Sequence, residues 1–288
     1  CALRPDREGF RPAMTAYGIV VTTGVGGGWR QRATAQQVAS ELGCEFVPRL
    51  GRSLRAVADD ASGTTAHAVL VAEVGGLHLV ELADTELPPL FFHPGMAVNR
   101  IRGLALGRHD HMVDAMGLRE GMRVLDCTLG MAADALVAAH AVGPAGRVVG
   151  LEASPMVAAI TRYGLADYSL PDAGMSAAMR RIEVVNCDYR DYLAGCGGGD
   201  FDVVYFDPMF GTPVVSSTGI AGLRRWARQG QLDADAFGMA ERVAEQKVVL
   251  KMRRYAQLPP WRPPEKVEGG PTSTVKFLVW ETGETDAR

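Results

Sequence analysis

Cysteine is scarce in this sequence and widely scattered. The 288 residues include five cysteines, and no two of them form a Cys-x-x-Cys pair. An odd number of isolated cysteines excludes a disulfide framework and a zinc site built on paired thiols. We therefore expect a protein of a reducing compartment, the cytoplasm, that holds no structural metal.

Long apolar runs and an excess of one charge are also missing. The longest apolar candidate, residues 132–151, is interrupted by four residues and does not predict a membrane span: Asp134, His140, Pro144 and Arg147. The chain has 30 basic and 33 acidic residues and a net charge of −3. This balance argues against a protein coated with positive charge for sequence-independent DNA binding. With 47% apolar and 22% charged residues, the composition is that of a globular protein.

The chain divides into a short N-terminal segment and two predicted domains. Residues 1–13 precede Met14 and the first segment that looks structured, so we expect an upstream extension or remnant there. Residues 14–90 combine short β-branched strands with helical segments, which predicts a small α/β domain. Residues 91–288 alternate strands and helices, which predicts a mostly parallel sheet with helices on both faces.

Continuous apolar runs mark the strands of the larger domain. Such runs are typical of strands that are buried on both faces of a parallel sheet. They lie at residues 123–125, 148–151, 182–185, 203–206, 248–250 and 275–280. Helical segments at 132–142 and 156–168 separate the first three strands, and each is long enough to cross over a sheet.

Acidic residues follow three consecutive predicted strands. Asp126 begins the loop 126–132, which leads into a helix, the position where doubly wound folds bind nucleotides. Glu152 is placed to accept hydrogen bonds from both ribose hydroxyls, and Asp188 from an adenine amine. The loop has one glycine where dinucleotide sites have three, and Asp126 attracts positive charge. We therefore expect an adenosine with a cationic tail.

The fourth strand ends in a more specific pattern, Asp207-Pro208-Met209-Phe210. The carboxylate of Asp207 and the carbonyl of Pro208 can accept both N–H bonds of an amine, which leaves its lone pair directed at an electrophile. Phe210 can stack on a flat base. The pattern predicts a substrate amine, and the structural alternative is a turn closed by an aspartate side chain.

Together these motifs resemble the class I S-adenosylmethionine (SAM)-dependent methyltransferases. More narrowly, they resemble the RsmJ-like family of 16S ribosomal RNA guanine-N2 methyltransferases. The segments that carry the resemblance are His93–Arg100, Asp126–Leu136, Glu152–Ala159, Asp207–Phe210 and Val248–Lys251. The resemblance covers about residues 90–256 and implies a Rossmann-like fold, SAM as cofactor and methyl transfer to an amine nitrogen of RNA.

The motifs and the resemblance together give roles to single residues, and we expect no metal. Catalytic roles fall to Asp207, Pro208 and Phe210, and substrate contacts to Arg100, Met209 and Lys251. The implied cofactor-binding residues are Asp126, Thr128, Gly130, Asp134, Glu152, Ala153 and Asp188. One departure concerns the substrate. The family continues its Asp-Pro-Met-aromatic motif with a lysine-rich run, whereas residues 211–217 of this chain contain no basic residue.

A basic segment supports RNA as the partner. Residues 224–262 contain nine Lys/Arg and four Asp/Glu, interleaved with Trp226, Tyr255 and Trp261. Single-stranded RNA binding uses this mixture, although a solvated face has it too. A protein or small-molecule acceptor stays open, as does the oligomeric state. From other classes, a nicotinamide-dependent oxidoreductase and a catalytically silent RNA-binding protein are the alternatives.

Three further patterns have ordinary structural interpretations. The segment His109-Asp110-His111 predicts a surface turn, because no other Cys or His clusters with it to complete a metal site. The loop Gly24–Gly28 lacks the Gly-Lys-Ser/Thr ending of a nucleotide-triphosphate loop. Cys127 and Cys187 end strands, and we expect them to be buried packing residues.

Overall fold

The structure is a computed structural model that describes residues 18–62, 66–84, 87–208 and 232–283. Within these ranges the chain forms one five-stranded and one seven-stranded sheet. The predicted site residues Met209 and Phe210 lie outside the described residues, as does the part of the basic segment at 224–231. None of the described helices is both long and apolar enough to cross a membrane.

The smaller sheet uses the first part of the chain. Its elements are β1 (Ile19–Thr23), α1 (Trp29–Leu42), β2 (Glu45–Phe46), α2 (Leu54–Asp59), β3 (Ala68–Glu73), β4 (Gly76–Glu81) and β5 (Leu90–Phe91). The strand order is β2-β1-β3-β4-β5. β1 is parallel to β2 and β3, whereas β4 is antiparallel to β3 and β5. Ser53 caps α2 because its hydroxyl accepts a hydrogen bond from the Ala56 N–H, as its position before the apolar residues predicts.

The larger sheet uses the rest of the described chain. Its helices are α3 (Gly95–Ala105), α4 (His111–Met116), α5 (Ala133–Ala141), α6 (Pro155–Asp167), α7 (Ala173–Arg181), α8 (Tyr189–Gly195) and α9 (Ala234–Val243). Its strands are β6 (Arg123–Asp126), β7 (Arg147–Leu151), β8 (Ile182–Val185), β9 (Phe201–Phe206), β10 (Ala244–Arg253), β11 (Lys266–Glu268) and β12 (Val275–Glu281). The order is β11-β12-β10-β9-β6-β7-β8. β6 to β10 are parallel to one another, and β12 is antiparallel to both of its neighbours.

Apolar side chains alternate between the two faces of the larger sheet. Val124 and Val148 pack with helices α3 to α7, whereas Leu125 and Val149 pack with α8 and α9. Helices therefore cover both faces, which confirms the predicted Rossmann-like fold class. The first cluster continues into the smaller sheet, so one hydrophobic core contacts both sheets. The division of the chain at residue 90 stays a prediction.

The junction of the two sheets contains the end of one element and the start of another. Phe91 ends β5 and Gly95 begins α3, a helix that the sequence analysis does not predict. The signal was present, because Ala97, Val98 and Ile101 have the spacing of one buried helix face.

Helix α6 packs closely against the end of β5. A Cβ atom at Gly164 would lie 2.2 Å from Phe92. Only glycine permits this approach.

Candidate active site

The candidate site lies where the strand order of the larger sheet reverses. β6 has β7 on one side and β9 on the other, and all three strands are parallel. Asp126 ends β6, Glu152 follows β7, and Asp207 follows β9. Ligands of open α/β sheets bind in the crevice outside such carboxyl ends. The structure therefore brings the predicted carboxylates to one edge of the sheet.

The loop after β6 is tied to its surroundings by hydrogen bonds. Asp126 Oδ1 accepts a hydrogen bond from the Thr128 N–H at 3.0 Å, and the Thr161 hydroxyl donates to the Gly130 carbonyl at 2.7 Å. Gly130 (φ 51°) and Ala132 (φ 58°) are both left-handed. That conformation costs a residue with a Cβ atom about 1–2 kcal/mol. The loop is thus fixed in a conformation that its own sequence does not favour at Ala132.

Glu152, the predicted ribose ligand, is held by backbone hydrogen bonds. Its buried carboxylate accepts hydrogen bonds from the Ser154 N–H at 2.7 Å and from the Gly130 N–H at 3.1 Å. Burial raises the pKa of Glu152, and the N–H groups of Ser154, Gly130 and Ala153 oppose that rise. Because a carboxylate has about four acceptor positions, both oxygens keep capacity for the ribose hydroxyls of a cofactor.

Asn186 also supports this position, and the sequence analysis missed it. Its Nδ2 donates to the Glu152 carbonyl oxygen at 2.7 Å and so fixes the backbone at the end of β7. An amide that follows the next strand, at Asn186, was the available signal. Asp188 caps α8 by accepting a hydrogen bond from the Arg190 N–H at 3.0 Å, and its role toward adenine stays a prediction.

Asp126 at the end of β6 and Asp134 in the first turn of α5 differ in charge near neutral pH. Burial, with the nearby carboxylates Asp134 and Asp207, raises the pKa of Asp126 to about 8. Burial alone would raise the pKa of Asp134 as well, but Lys251 and Arg100 outweigh it and lower that pKa to about 2. The ionised carboxylate that the sequence analysis expects at Asp126 is therefore found at Asp134 near neutral pH.

Asp134 is the centre of a buried network of charges. Its Oδ2 accepts hydrogen bonds from the Tyr205 hydroxyl at 2.7 Å and from Lys251 Nζ at 2.8 Å. Its Oδ1 accepts one from Arg100. Lys251 Nζ also lies 2.8 Å from Asp207 Oδ2. The structure thus joins four predicted site residues and adds Tyr205, whose side chain the apolar run of β9 did not single out.

Arg100 connects this network to helix α4. Its guanidinium donates to Asp110 at 2.7 and 2.8 Å, and Asp110 also caps α4 by accepting from the N–H groups of Met112 and Val113. The prediction of a surface turn is right for His109, whose side chain is 88% exposed, and wrong for Asp110, which is 11% exposed. No group of three metal-ligating side chains occurs within the described ranges.

Asp207 is the most exposed member of the network. Its side chain is 36% exposed, and the buried Pro208 follows it. The Asp207 N–H donates to the Thr128 hydroxyl oxygen at 2.6 Å, which ties the end of β9 to the loop after β6. Burial, reinforced by Asp134 and opposed by Lys251, raises the pKa of Asp207.

The described part of the basic segment is largely occupied by internal contacts. Arg242 donates to two backbone carbonyls, Arg262 pairs with Glu241 and Glu265, and Lys247 pairs with Glu281 at 3.1 Å. Trp261 packs between Phe237 and Trp280. These cations contribute less to an open basic face than their number predicts.

The strand order and the carboxylates at the point of reversal define a class: a Rossmann-like class I methyltransferase. A family model for SAM-dependent methyltransferases matches residues 59–269. The chain belongs to that family and is a SAM-dependent methyltransferase, with SAM as its cofactor. This membership decides against the nicotinamide-dependent oxidoreductase and the catalytically silent RNA-binding protein.

Individual relatives agree with this assignment. The chain is 39% identical over 222 residues to the uncharacterized protein YpiP of Bacillus subtilis, a match that covers 76% of this chain and 82% of YpiP. It is 31% identical to ribosomal RNA small subunit methyltransferase J of Shewanella piezotolerans, over 65% of this chain and 72% of the relative. The solved SAM-dependent methyltransferase NGO1261 from Neisseria gonorrhoeae has the same fold, with a TM-score of 0.62 at 18% identity over 93% of this chain and 97% of that one.

Proposed function

We propose that this enzyme methylates an exocyclic amine of a base in RNA, with Asp207 as the residue that orients the amine. One observation carries the proposal. Asp207 is the partly exposed carboxylate at the point of strand reversal, and it is fixed at its backbone by Thr128 and at its side chain by Lys251. A carboxylate held on both sides can fix the direction of an amine lone pair.

In this proposal, the other side of the crevice binds the methyl donor. When bound, SAM supplies a methyl group on a sulfonium, an electrophile. We infer that Glu152 and Ala153 hold the ribose, that the loop containing Asp126, Thr128 and Gly130 holds the methionine part, and that Asp188 contacts adenine.

The chemical step needs orientation more than it needs a strong base. Asp207 and the Pro208 carbonyl accept the two N–H bonds of the amine, so the nitrogen lone pair points at the methyl carbon. The N–C bond forms as the S–C bond breaks, and the proton that the nitrogen loses passes to Asp207. The raised pKa of Asp207 suits a carboxylate that collects this proton after transfer.

A flat base as acceptor is supported by Tyr255. This residue follows β10, whose carboxyl end lies at the same edge as that of β9. Its side chain is 92% exposed, and the guanidinium of Arg254 lies 6.0 Å from its ring centroid. Exposed aromatic rings beside arginine are stacking platforms for unpaired bases. The relative from Shewanella piezotolerans, named for ribosomal RNA, adds support for RNA.

The experiment transfers labelled methyl groups from SAM to total RNA and to small ribosomal subunits of a strain that lacks the gene. We expect label in RNA with the wild-type enzyme. In Asp207→Ala we expect turnover to fall by at least about 100-fold, because orientation and proton acceptance are both lost. The affinity for S-adenosylhomocysteine, measured by calorimetry, should change little.

The matched control is Asp59→Ala, since Asp59 is an exposed aspartate in α2. It should keep full turnover. Label that survives nuclease but not protease would contradict the RNA acceptor. Turnover retained in Asp207→Ala would contradict the orienting role.

A further inference from the structure

The charged side chains behind Asp207 form one chain of alternating sign. It runs from Asp110 through Arg100, Asp134 and Lys251 to Asp207, and every link is a direct contact between side chains. Its members come from different elements: the N-cap of α4, then α3, α5, β10 and the end of β9. Such a series of contacts can hold the Asp207 carboxylate in a fixed position relative to the rest of the domain.

Asp134 is already occupied by protein donors. Its two oxygens accept hydrogen bonds from Arg100, Tyr205 and Lys251, and its side chain is 10% exposed. Unlike the backbone N–H groups at Glu152, two of these donors are the cations Arg100 and Lys251, so the charge of Asp134 is already compensated within the protein. This arrangement does not fit the role of a cofactor ligand that the resemblance implies for Asp134.

Stability alone is a poor reason for these buried charges. Charged networks inside a protein are frequently no more stabilising than apolar side chains of the same size. What they do provide is a fixed geometry, because each ion restricts its neighbours.

We propose that Asp134 is a positioning residue rather than a cofactor ligand. With Arg100 and Tyr205 it fixes Lys251, and Lys251 in turn fixes the Asp207 carboxylate toward the methyl acceptor. The inference rests on the proposed function for the role of Asp207 toward the acceptor, whereas the contacts that join Asp134, Lys251 and Asp207 are present in the structure itself. Asp110 and Tyr205 become functional residues through contact with this network.

The charge on Lys251 also matters for the protonation of Asp207. The titratable groups that face Asp207 are Lys251 on β10, Asp134 on α5, Arg100 on α3, Asp126 on β6 and Tyr205 on β9. Lys251 lies directly between the carboxylates of Asp134 and Asp207. Removing its charge leaves these two carboxylates without the cation that separates them, which favours the protonated form of Asp207.

The first test separates positioning from cofactor binding. Asp134→Asn and Tyr205→Phe are compared with Glu152→Gln, which removes charge from the predicted ribose ligand. We expect the dissociation constant for S-adenosylhomocysteine to stay within about threefold of wild type in the first two variants and to rise at least about tenfold in Glu152→Gln. The kcat for RNA methylation should fall about fivefold in Tyr205→Phe, the loss expected for one hydrogen bond, while its KM for SAM stays constant.

The second test reads the Asp207 carboxyl directly by carbon NMR, which requires no methyl acceptor. In Lys251→Met the pKa of Asp207 should rise by at least about one unit, and the acidic limb of the pH–rate profile should move to higher pH by the same amount. Lys251→Arg keeps the charge and should restore both. Asp207→Asn assigns the resonance.

Two results would overturn the inference. One is a loss of S-adenosylhomocysteine affinity of about tenfold or more in Tyr205→Phe, or in Asp134→Asn that remains folded, which would make Asp134 a cofactor ligand. The other is an Asp207 pKa that does not move in Lys251→Met. If the wild-type enzyme labels no RNA, the proposed function fails, and the calorimetry and NMR still decide the role of Asp134.

Discussion

Each of the two sheets has a strand–loop–helix motif, but the side chains near the two loops differ in burial and charge. In each, a parallel strand runs into a loop with glycine and then into a helix: β1 into Gly24–Gly28 and α1, and β6 into residues 127–132 and α5. The first loop leads to exposed apolar side chains, since Val25 is 75% and Trp29 77% exposed. The second leads to buried carboxylates and their cations. A glycine loop therefore does not define a site by itself, and the buried charges do.

Hydrogen bonds between residues close in the sequence stabilise the first loop. The Gly28 N–H donates to the side chain of Gln31 at 3.0 Å, and the Gly27 N–H to the Gly24 carbonyl at 3.1 Å. The second loop instead engages side chains from other elements, namely Glu152 and Thr161. The first loop also has a distant bond, from the Gly24 N–H to the Ala72 carbonyl at 3.0 Å, but it joins backbone to backbone. Side chains from distant elements thus distinguish the predicted cofactor loop from a simple strand-to-helix turn.

The largest expected effect comes from removing a strand-end carboxylate on each sheet. We expect Glu152→Ala to weaken S-adenosylhomocysteine binding by about 100-fold, because two hydrogen bonds to a charged acceptor are lost. Glu73→Ala is the matched control, since Glu73 ends β3 beside the Gly24 loop. It should leave the affinity unchanged. Calorimetry measures both variants, and equal losses would remove the distinction between the two edges.

The second prediction concerns pH and uses the buried Asp126. Its pKa of about 8 lies above the ordinary aspartate value, so the folded state holds a proton that the unfolded state releases between about pH 4 and pH 8. Stability from this group is fully present below that window and is lost as the pH rises through it. Asp126→Asn should therefore stabilise the protein at pH 8, by about 5 kcal/mol, and change little at pH 4.

Denaturant unfolding from pH 4 to pH 9 measures this difference. Glu73→Gln is the control at the other edge, and its stability should follow the wild-type curve. A wild-type curve that runs parallel to that of Asp126→Asn over the whole range would show that Asp126 is ionised in the folded enzyme.

The sequence predicted the edge of the sheet better than the contacts behind it. Apolar runs locate the ends of β6 to β9, and acidic residues directly after such runs are visible without a structure. The pairing of Asp134 with Lys251 is not visible, because 117 residues separate them and only the order β10-β9-β6 brings them together. Asp110 was misjudged for the same reason, since its partner Arg100 belongs to helix α3, which was not predicted.

The smallest expected effect comes from the left-handed residues of the two loops. At Gly26 (φ 73°) an added Cβ would meet no atom within 4 Å, so Gly26→Ala costs only backbone strain, about 1 kcal/mol. Ala132→Gly relieves strain of about 1–2 kcal/mol, but the added backbone freedom costs about 0.5–1 kcal/mol and the lost buried methyl about 0.8 kcal/mol. We expect these contributions to cancel within about 0.5 kcal/mol in denaturant unfolding. A clear gain in stability for Ala132→Gly would show that the loop after β6 stores strain, whereas a loss like that of Gly26→Ala would show that packing of the Ala132 methyl fixes the loop.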